Sequence, residues 1–333
     1  MRPALPAPVG IGGINLLPLF VGIFCLLWSS AFAVAKLTLL YAPPLLLLSA
    51  RFFIAGFVMT GVLLLRRGAW PIGRRDLLLF AALGLVNNAI YLGLNYAAMT
   101  SISAGLSAII SSSNPVVTAL LAATFLHERI TWRKAAGLAL GVGGVVFIVE
   151  SRIGGGVDHP IGIVLAIGGL ISLVTGTILF KRVAPNGQLW VGNAVQNLTA
   201  GVAVLPLALA FEHISDVVPS WYLFAGLAYS ALLVSVFGYL LWFYLLRVCG
   251  ATSASAYHFL MPPLGLMFGW LFLGEHVELS DLLGIVPVGF SIYLVTRSGF
   301  PQRALLEPLF FRRLKGHCPD QVRCISRSRC PPP

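Results

Sequence analysis

Apolar residues run along the chain in long continuous stretches, interrupted by short charged or Gly/Pro-rich joints. A helix needs about 20 mostly apolar residues to cross a bilayer. Stretches of that kind lie at 16–36, 44–65, 77–98, 102–126, 133–149, 161–180, 189–211, 220–246, 251–273 and 281–296. Breaks separate them at Arg66 to Asp76, His127 to Lys134, Glu150 to Pro160, Lys181 to Gly187, Glu212 to Pro219 and Gly274 to Asp281. Tighter joints fall at Ala42-Pro43-Pro44 and Thr100-Ser101. The runs are continuous rather than alternating, which excludes a β-barrel. The pattern predicts an all-α integral membrane protein of ten transmembrane helices. The first run is too long for the apolar core of a cleaved signal, so it is read as an uncleaved span after a short segment at 1–15.

Composition sharpens this. Of 333 residues, 58% are hydrophobic and only 10% charged, against about 25% charged in an ordinary soluble domain. A water-soluble fold and general disorder are both excluded. The net charge of +11 first suggests an acidic partner, but its placement says otherwise. With the N-terminus in the cytoplasm, the cytoplasmic side holds Arg2, Arg66, Arg67, Arg74, Arg75, Arg129, Arg133, Lys134, Lys181, Arg182, Arg247 and the basic residues from Arg297 to Arg329. Of the 22 Lys and Arg, only Arg152 falls outside, and Lys36 and Arg51 fall within spans. The outer loops carry Glu150, Asp158, Glu212, Asp216, Glu275, Glu278 and Asp281. This is the positive-inside bias. The charge is an orientation signal, the partner is the lipid bilayer, and no nucleic acid is needed. Both termini are expected in the cytoplasm.

The chain repeats itself. Residues 104–151 align without a gap to 251–298 at an offset of 147, with identities including Ala104/Ala251, Pro115/Pro262, Phe125/Phe272, Leu126/Leu273, Glu128/Glu275 and Gly137/Gly284. A span with an internal proline, then Phe-Leu-x-Glu, a turn and another span recurs once per half. Each half holds five spans, an odd number, so the second copy enters the membrane upside down. The expected division is 1–15, two inverted five-helix repeats at 16–151 and 160–298, and a basic cytoplasmic tail at 299–333 expected to be disordered. The tail holds His317, Cys318, Cys324 and Cys330. Their wide spacing suits a solvated tail better than a zinc site, and no metal or cofactor is expected.

These features resemble the drug/metabolite transporter superfamily, in the branch built from two EamA-type repeats. The matching residues are Trp28-Ser29-Ser30 with Lys36, Ala50-Arg51-Phe52, Asn114-Pro115 through Leu126-His127-Glu128-Arg129 with Gly137, and Met261-Pro262-Pro263 through Leu273-Gly274-Glu275. The resemblance covers about residues 16–298. Thr175 stands where the offset would match Trp28, and Leu198 where it would match Arg51. The resemblance implies a ten-helix carrier for small metabolites, commonly by efflux, in the cytoplasmic (inner) membrane of a bacterium.

Candidate transport residues cluster near two prolines. Pro115 removes a hydrogen bond to the Ser111 carbonyl and Pro262 one to that of His258. Freed carbonyls at membrane depth should face protein or a wet cavity. Ser111, Ser112, Ser113 and Asn114 precede the first proline, and Tyr257 and His258 the second. Either these kinks line the substrate path, or proline and serine pack helices there. Asn88, Tyr91 and Asn95 form one stripe on the third span. Ser235, Gly238 and Trp242, beside Tyr239, occupy the matching stripe on the eighth. Such groups suit a ligand with polar and apolar parts; they also suit interhelical hydrogen bonding. Lys36 and Arg51 have no deep carboxylate to pair with, so they reach an interface, water or backbone, or hold a substrate anion. His258 is the candidate proton switch, with a neutral hydrogen-bonded histidine as the alternative. Glu128 and Glu275 should cap or gate, stabilised by Arg129 or Arg133 and by His276 respectively. Gly137/Gly141 and Gly265/Gly269 suit close helix packing, within the fold or across a homodimer.

The function expected is secondary transport of a small organic metabolite, an amino-acid-like or drug-like solute, by alternating access. The chain has no phosphate loop and no His-Glu-x-x-His motif, so ATP-driven transport by this chain alone is not expected. Nor is an enzyme, because Ser107 lies near one end of its span and His258 near the middle of another. The alternatives are an intramembrane enzyme using Ser107 and His258, and a lipid flippase.

Overall fold

The structure, a computed structural model, describes residues 10–11, 14–65, 72–102, 110–111, 113–150, 159–183, 189–273 and 279–297. Contiguous helical segments give α1 (Leu17–Thr38), α2 (Pro44–Leu65), α3 (Arg74–Ala98), α4 (Asn114–Phe125), α5 (Trp132–Glu150), α6 (Pro160–Val183), α7 (Leu189–Phe211) and α8 (Trp221–Cys249). There follow α9, made of Ala251–Ala256, the tight 3-10 turn Tyr257–Leu260 and Met261–Leu273, and α10 (Leu279–Arg297). A two-residue antiparallel pair, Gly10–Ile11 with Ile14–Asn15, precedes them. Among the described residues, α1, α2, α3, α6, α7 and α8 are long and apolar enough to cross a membrane. Large apolar side chains such as Leu65, Phe211 and Phe237 remain exposed on them, which suits a lipid solvent because acyl chains are as apolar as leucine.

Prolines set several helix starts. Pro44 and Pro160 open α2 and α6, where the missing N–H has no intrahelical role to lose. Pro115 and Pro262 were expected as mid-span kinks. Instead each is the second residue of a helix, after a break. The break before Pro262 is the turn Tyr257–Leu260. Before Pro115, Ser113 N bonds to Ile110 O at 3.1 Å; residues 103–109 and Ser112 lie outside the described residues. Among the described residues, Pro206 lies inside α7 and Pro287 inside α10.

The packing repeats as the sequence does. At the offset of 147, α2 corresponds to α7, α4 to α9 and α5 to α10, and each of these pairs packs against itself. Likewise α3 packs on α6, as its counterpart α8 packs on α1. Wide π-type turns interrupt α3 at Leu85–Ile90 and α8 at Tyr229–Gly238, again at matching places. Such turns free backbone groups and mark special sites. Small residues permit the closest approaches. A Cβ on Gly141 would lie 2.5 Å from Ser291 Oγ and 2.7 Å from Phe259, and one on Gly137 2.8 Å from Val295. The Gly137/Gly141 pair is therefore spent inside the fold, on α10. A Cβ on Gly265 meets nothing within 4 Å.

Candidate functional site

A narrow cleft of about 30 Å³ lies among α1, α2, α3 and α8. Its wall includes Trp28, Arg51, Tyr91, Asn95, Tyr96 and Tyr239, with Ala31 and Ala35 at its small-residue edge. The stripe read from α3 thus turns Tyr91 and Asn95 to the cleft, and Arg51 and Tyr239 join them. Arg51 is buried, donating from Nε to Ser235 Oγ at 2.8 Å and from Nη1 to the Tyr96 hydroxyl at 3.1 Å. The Tyr239 hydroxyl donates to Asn87 O at 3.3 Å, an acceptor in the π-type turn of α3.

Beyond Trp28 the cleft meets a stack of rings. Trp242 lies parallel to Phe24 at 5.5 Å and edge-on to His258 at 4.9 Å. His258 also faces Phe24 at 5.7 Å and Trp28 at 5.9 Å. Its Nδ1 contacts Ser255 O at 3.1 Å. Neither His258 Nε2 nor Trp242 Nε1 has a hydrogen-bond partner among the described residues. The 3-10 turn before Pro262 brings His258 here. Tyr257 is buried one residue away.

The other candidates lie elsewhere. Asn88 is buried in the π-type turn of α3, outside the cleft lining, and its Oδ1 has no partner among the described residues. Asn114 accepts from Thr118 Oγ1 at 2.9 Å within its own helix, α4, and neither it nor Ser111 lines the cleft. Lys36 is exposed in the last turn of α1. Glu275 and Ser107 lie outside the described residues.

Glu128 corrects an expectation. Its carboxylate accepts from Ala251 N at 3.0 Å, Thr252 N at 3.4 Å and Thr252 Oγ1 at 2.8 Å, where Arg129 or Arg133 had been expected. The free N–H groups and positive dipole end of α9 are a natural carboxylate site. His127 aims it there. With φ of 54°, His127 is the left-handed residue ending α4, and Glu128 N bonds back to Ala122 O at 3.1 Å, satisfying a carbonyl at the end of the helix. Gly250 completes the joint with φ of 84°, and a Cβ on it would lie 3.2 Å from Glu128 Oε1.

A second clamp of this kind was missed. Glu212, just after α7, accepts from Leu45 N at 2.9 Å and Leu46 N at 2.7 Å, in the first turn of α2. Tyr96 and the wall position of Trp28 were also missed. The signal for Trp28 was present, since Trp28, Ala31, Phe32 and Ala35 recur at helical spacing. Lys181, at the end of α6, donates to Leu246 O at 2.5 Å and Arg247 O at 3.4 Å, satisfying carbonyls at the end of α8.

The EamA-like transporter family model matches residues 16–150 and again 160–297. The chain belongs to the EamA-like transporter family. It is similar to the transporter YvbV of Bacillus subtilis, 27% identical, covering 86% of this chain and 93% of that protein. The inner membrane transporter YedA of Escherichia coli is also 27% identical, with 89% and 96% covered. The S-adenosylmethionine/S-adenosylhomocysteine transporter of Chlamydia muridarum is 28% identical, with 84% and 92% covered. A crystal structure shares the fold at a TM-score of 0.70 and 18% identity, covering 85% of this chain and 98% of that one. As an EamA-family protein, the chain is an integral membrane transporter of a small molecule and not an enzyme.

Proposed function

We propose that this EamA-family protein is a secondary carrier that exports a small organic metabolite by alternating access. Its ten spans form two inverted five-helix repeats, with both termini on the cytoplasmic side of a bacterial inner membrane. The substrate occupies the cleft beside Trp28, Tyr91, Asn95 and Tyr239, with the rings of Trp242 and His258 packed behind Trp28. The observation that carries this reading is that both halves build the cleft: α1, α2 and α3 come from the first and α8 from the second. A relative movement of the halves would then reshape the site directly.

The placement of Lys and Arg supports the orientation. A related carrier of S-adenosylmethionine and S-adenosylhomocysteine supports an amino-acid-like metabolite as cargo. The cleft is too narrow for such a solute as it stands, so loading requires the halves or the ring side chains to part. Glu128 and Glu212 act as gates, each carboxylate from one half holding a helix N-terminus of the other.

A metabolite-resistance and export screen of an overexpressing strain tests this, repeated with Asn95→Ala and His258→Ala. The expected result is export of at least one solute by the wild type, reduced in both variants. Export unaltered by either substitution contradicts the assignment of the cleft.

A further inference from the structure

Arg51 stands out among the residues of the cleft. Among the described residues it is the one charged residue in the lining, and no carboxylate accompanies it there. Only 3% of it is exposed. A guanidinium carries five N–H donors in a planar fork. Here Nε and Nη1 are held by two neutral hydroxyls, those of Ser235 and Tyr96. Nη2 takes no hydrogen-bond partner among the described residues. Burying a cation without a countercharge is costly, and neutral hydroxyls do not return that cost. Ser235 is itself fixed: its backbone carbonyl accepts from Asn193 Nδ2 at 2.8 Å. The fork is therefore pre-positioned, with donors left over, at the wall of the cleft.

We infer that Arg51 is the anion hook of the transported solute, which carries a carboxylate for the free donors and a planar apolar body for Trp28, Tyr91 and Tyr239. This rests on the reading of the cleft as the substrate site. The charge balance selects the class of anion. One buried cation matches one negative charge, and among the described residues the lining offers no second cation. A carboxylate supplies one charge; a phosphate monoester near neutral pH carries about −1.5 to −2 and would leave the site negative. Arginine suits a carboxylate because the planar fork offers paired, charge-assisted hydrogen bonds.

The test uses purified full-length protein in detergent and measures thermal stability against three probes of one body: phenylacetate, phenylacetamide and phenyl phosphate. Phenylacetate is expected to stabilise the wild type at lower concentration than either other probe. In Arg51→Gln the phenylacetate affinity should fall on the order of 10- to 100-fold, the range of a lost charge-assisted hydrogen bond, with a smaller loss for the uncharged amide. Arg51→Lys keeps the charge but not the fork and should fall between. The comparison of probes on the wild type needs no variant, so a poorly folding Arg51→Gln does not rescue the inference. Equal affinity for acid and amide overturns it while the cleft reading stands. A phosphate preference overturns the carboxylate assignment. Response to no probe overturns both readings.

Discussion

His127 and Gly250 show how single backbone conformations fix a long-range contact. His127 adopts φ of 54°, a region that costs a side-chain-bearing residue about 1–2 kcal/mol and glycine almost nothing. His127→Gly should therefore raise thermal stability slightly, and His127→Val lower it by about 1–2 kcal/mol, both read from unfolding in detergent. Gly250 is constrained twice, by φ of 84° and by the nearness of Glu128. Gly250→Ala should cost about 1–3 kcal/mol and weaken the same contact. At this scale the sequence was partly legible. Tyr91, Asn95, Tyr239 and Arg51 were readable as candidates because polar groups in apolar helices need a reason. What they face was not readable. The partner of Glu128 lies 123 residues downstream, and helical spacing says nothing about which helix will stand opposite.

Among elements, the helices themselves were legible and their interruptions were not. Apolar run length locates a span, so every expected run contains a described helix. The breaks depend on tertiary fit: the residues around His258 adopt a tight 3-10 turn that lets the imidazole reach Trp242, so Pro262 follows the break instead of making a kink. The small-residue pairs were legible as packing sites but not as to partner. Gly141→Leu should cost about 1–3 kcal/mol by overpacking against Ser291 and Phe259, measured by thermal unfolding. Gly265→Leu, with open space around it, should stay within about 0.5 kcal/mol. The two carboxylate clamps also act between elements. Glu128→Gln or Glu212→Gln keeps the shape but removes the charge that complements a helix N-terminus. Each should lower stability by about 1–2 kcal/mol.

For the whole molecule, the two clamps sit at opposite ends of one helix. Glu212 lies in the connection leading into α8, and Glu128 holds the joint where α8 ends. The 29 residues of α8 separate them by roughly 40 Å at 1.5 Å per residue, the thickness of a bilayer with its headgroups. The cleft lies between. In the proposed carrier each clamp closes one face, and alternating access requires them to release in turn. The measurement that tests this most directly is labelling of Ala31→Cys, at the cleft wall, in a background where the five native cysteines are replaced. A membrane-impermeant maleimide is applied to sealed vesicles of each orientation. The account predicts labelling from both faces, with Glu128→Gln raising it from one face and Glu212→Gln from the other. Labelling from one face alone, unmoved by either substitution, would contradict it.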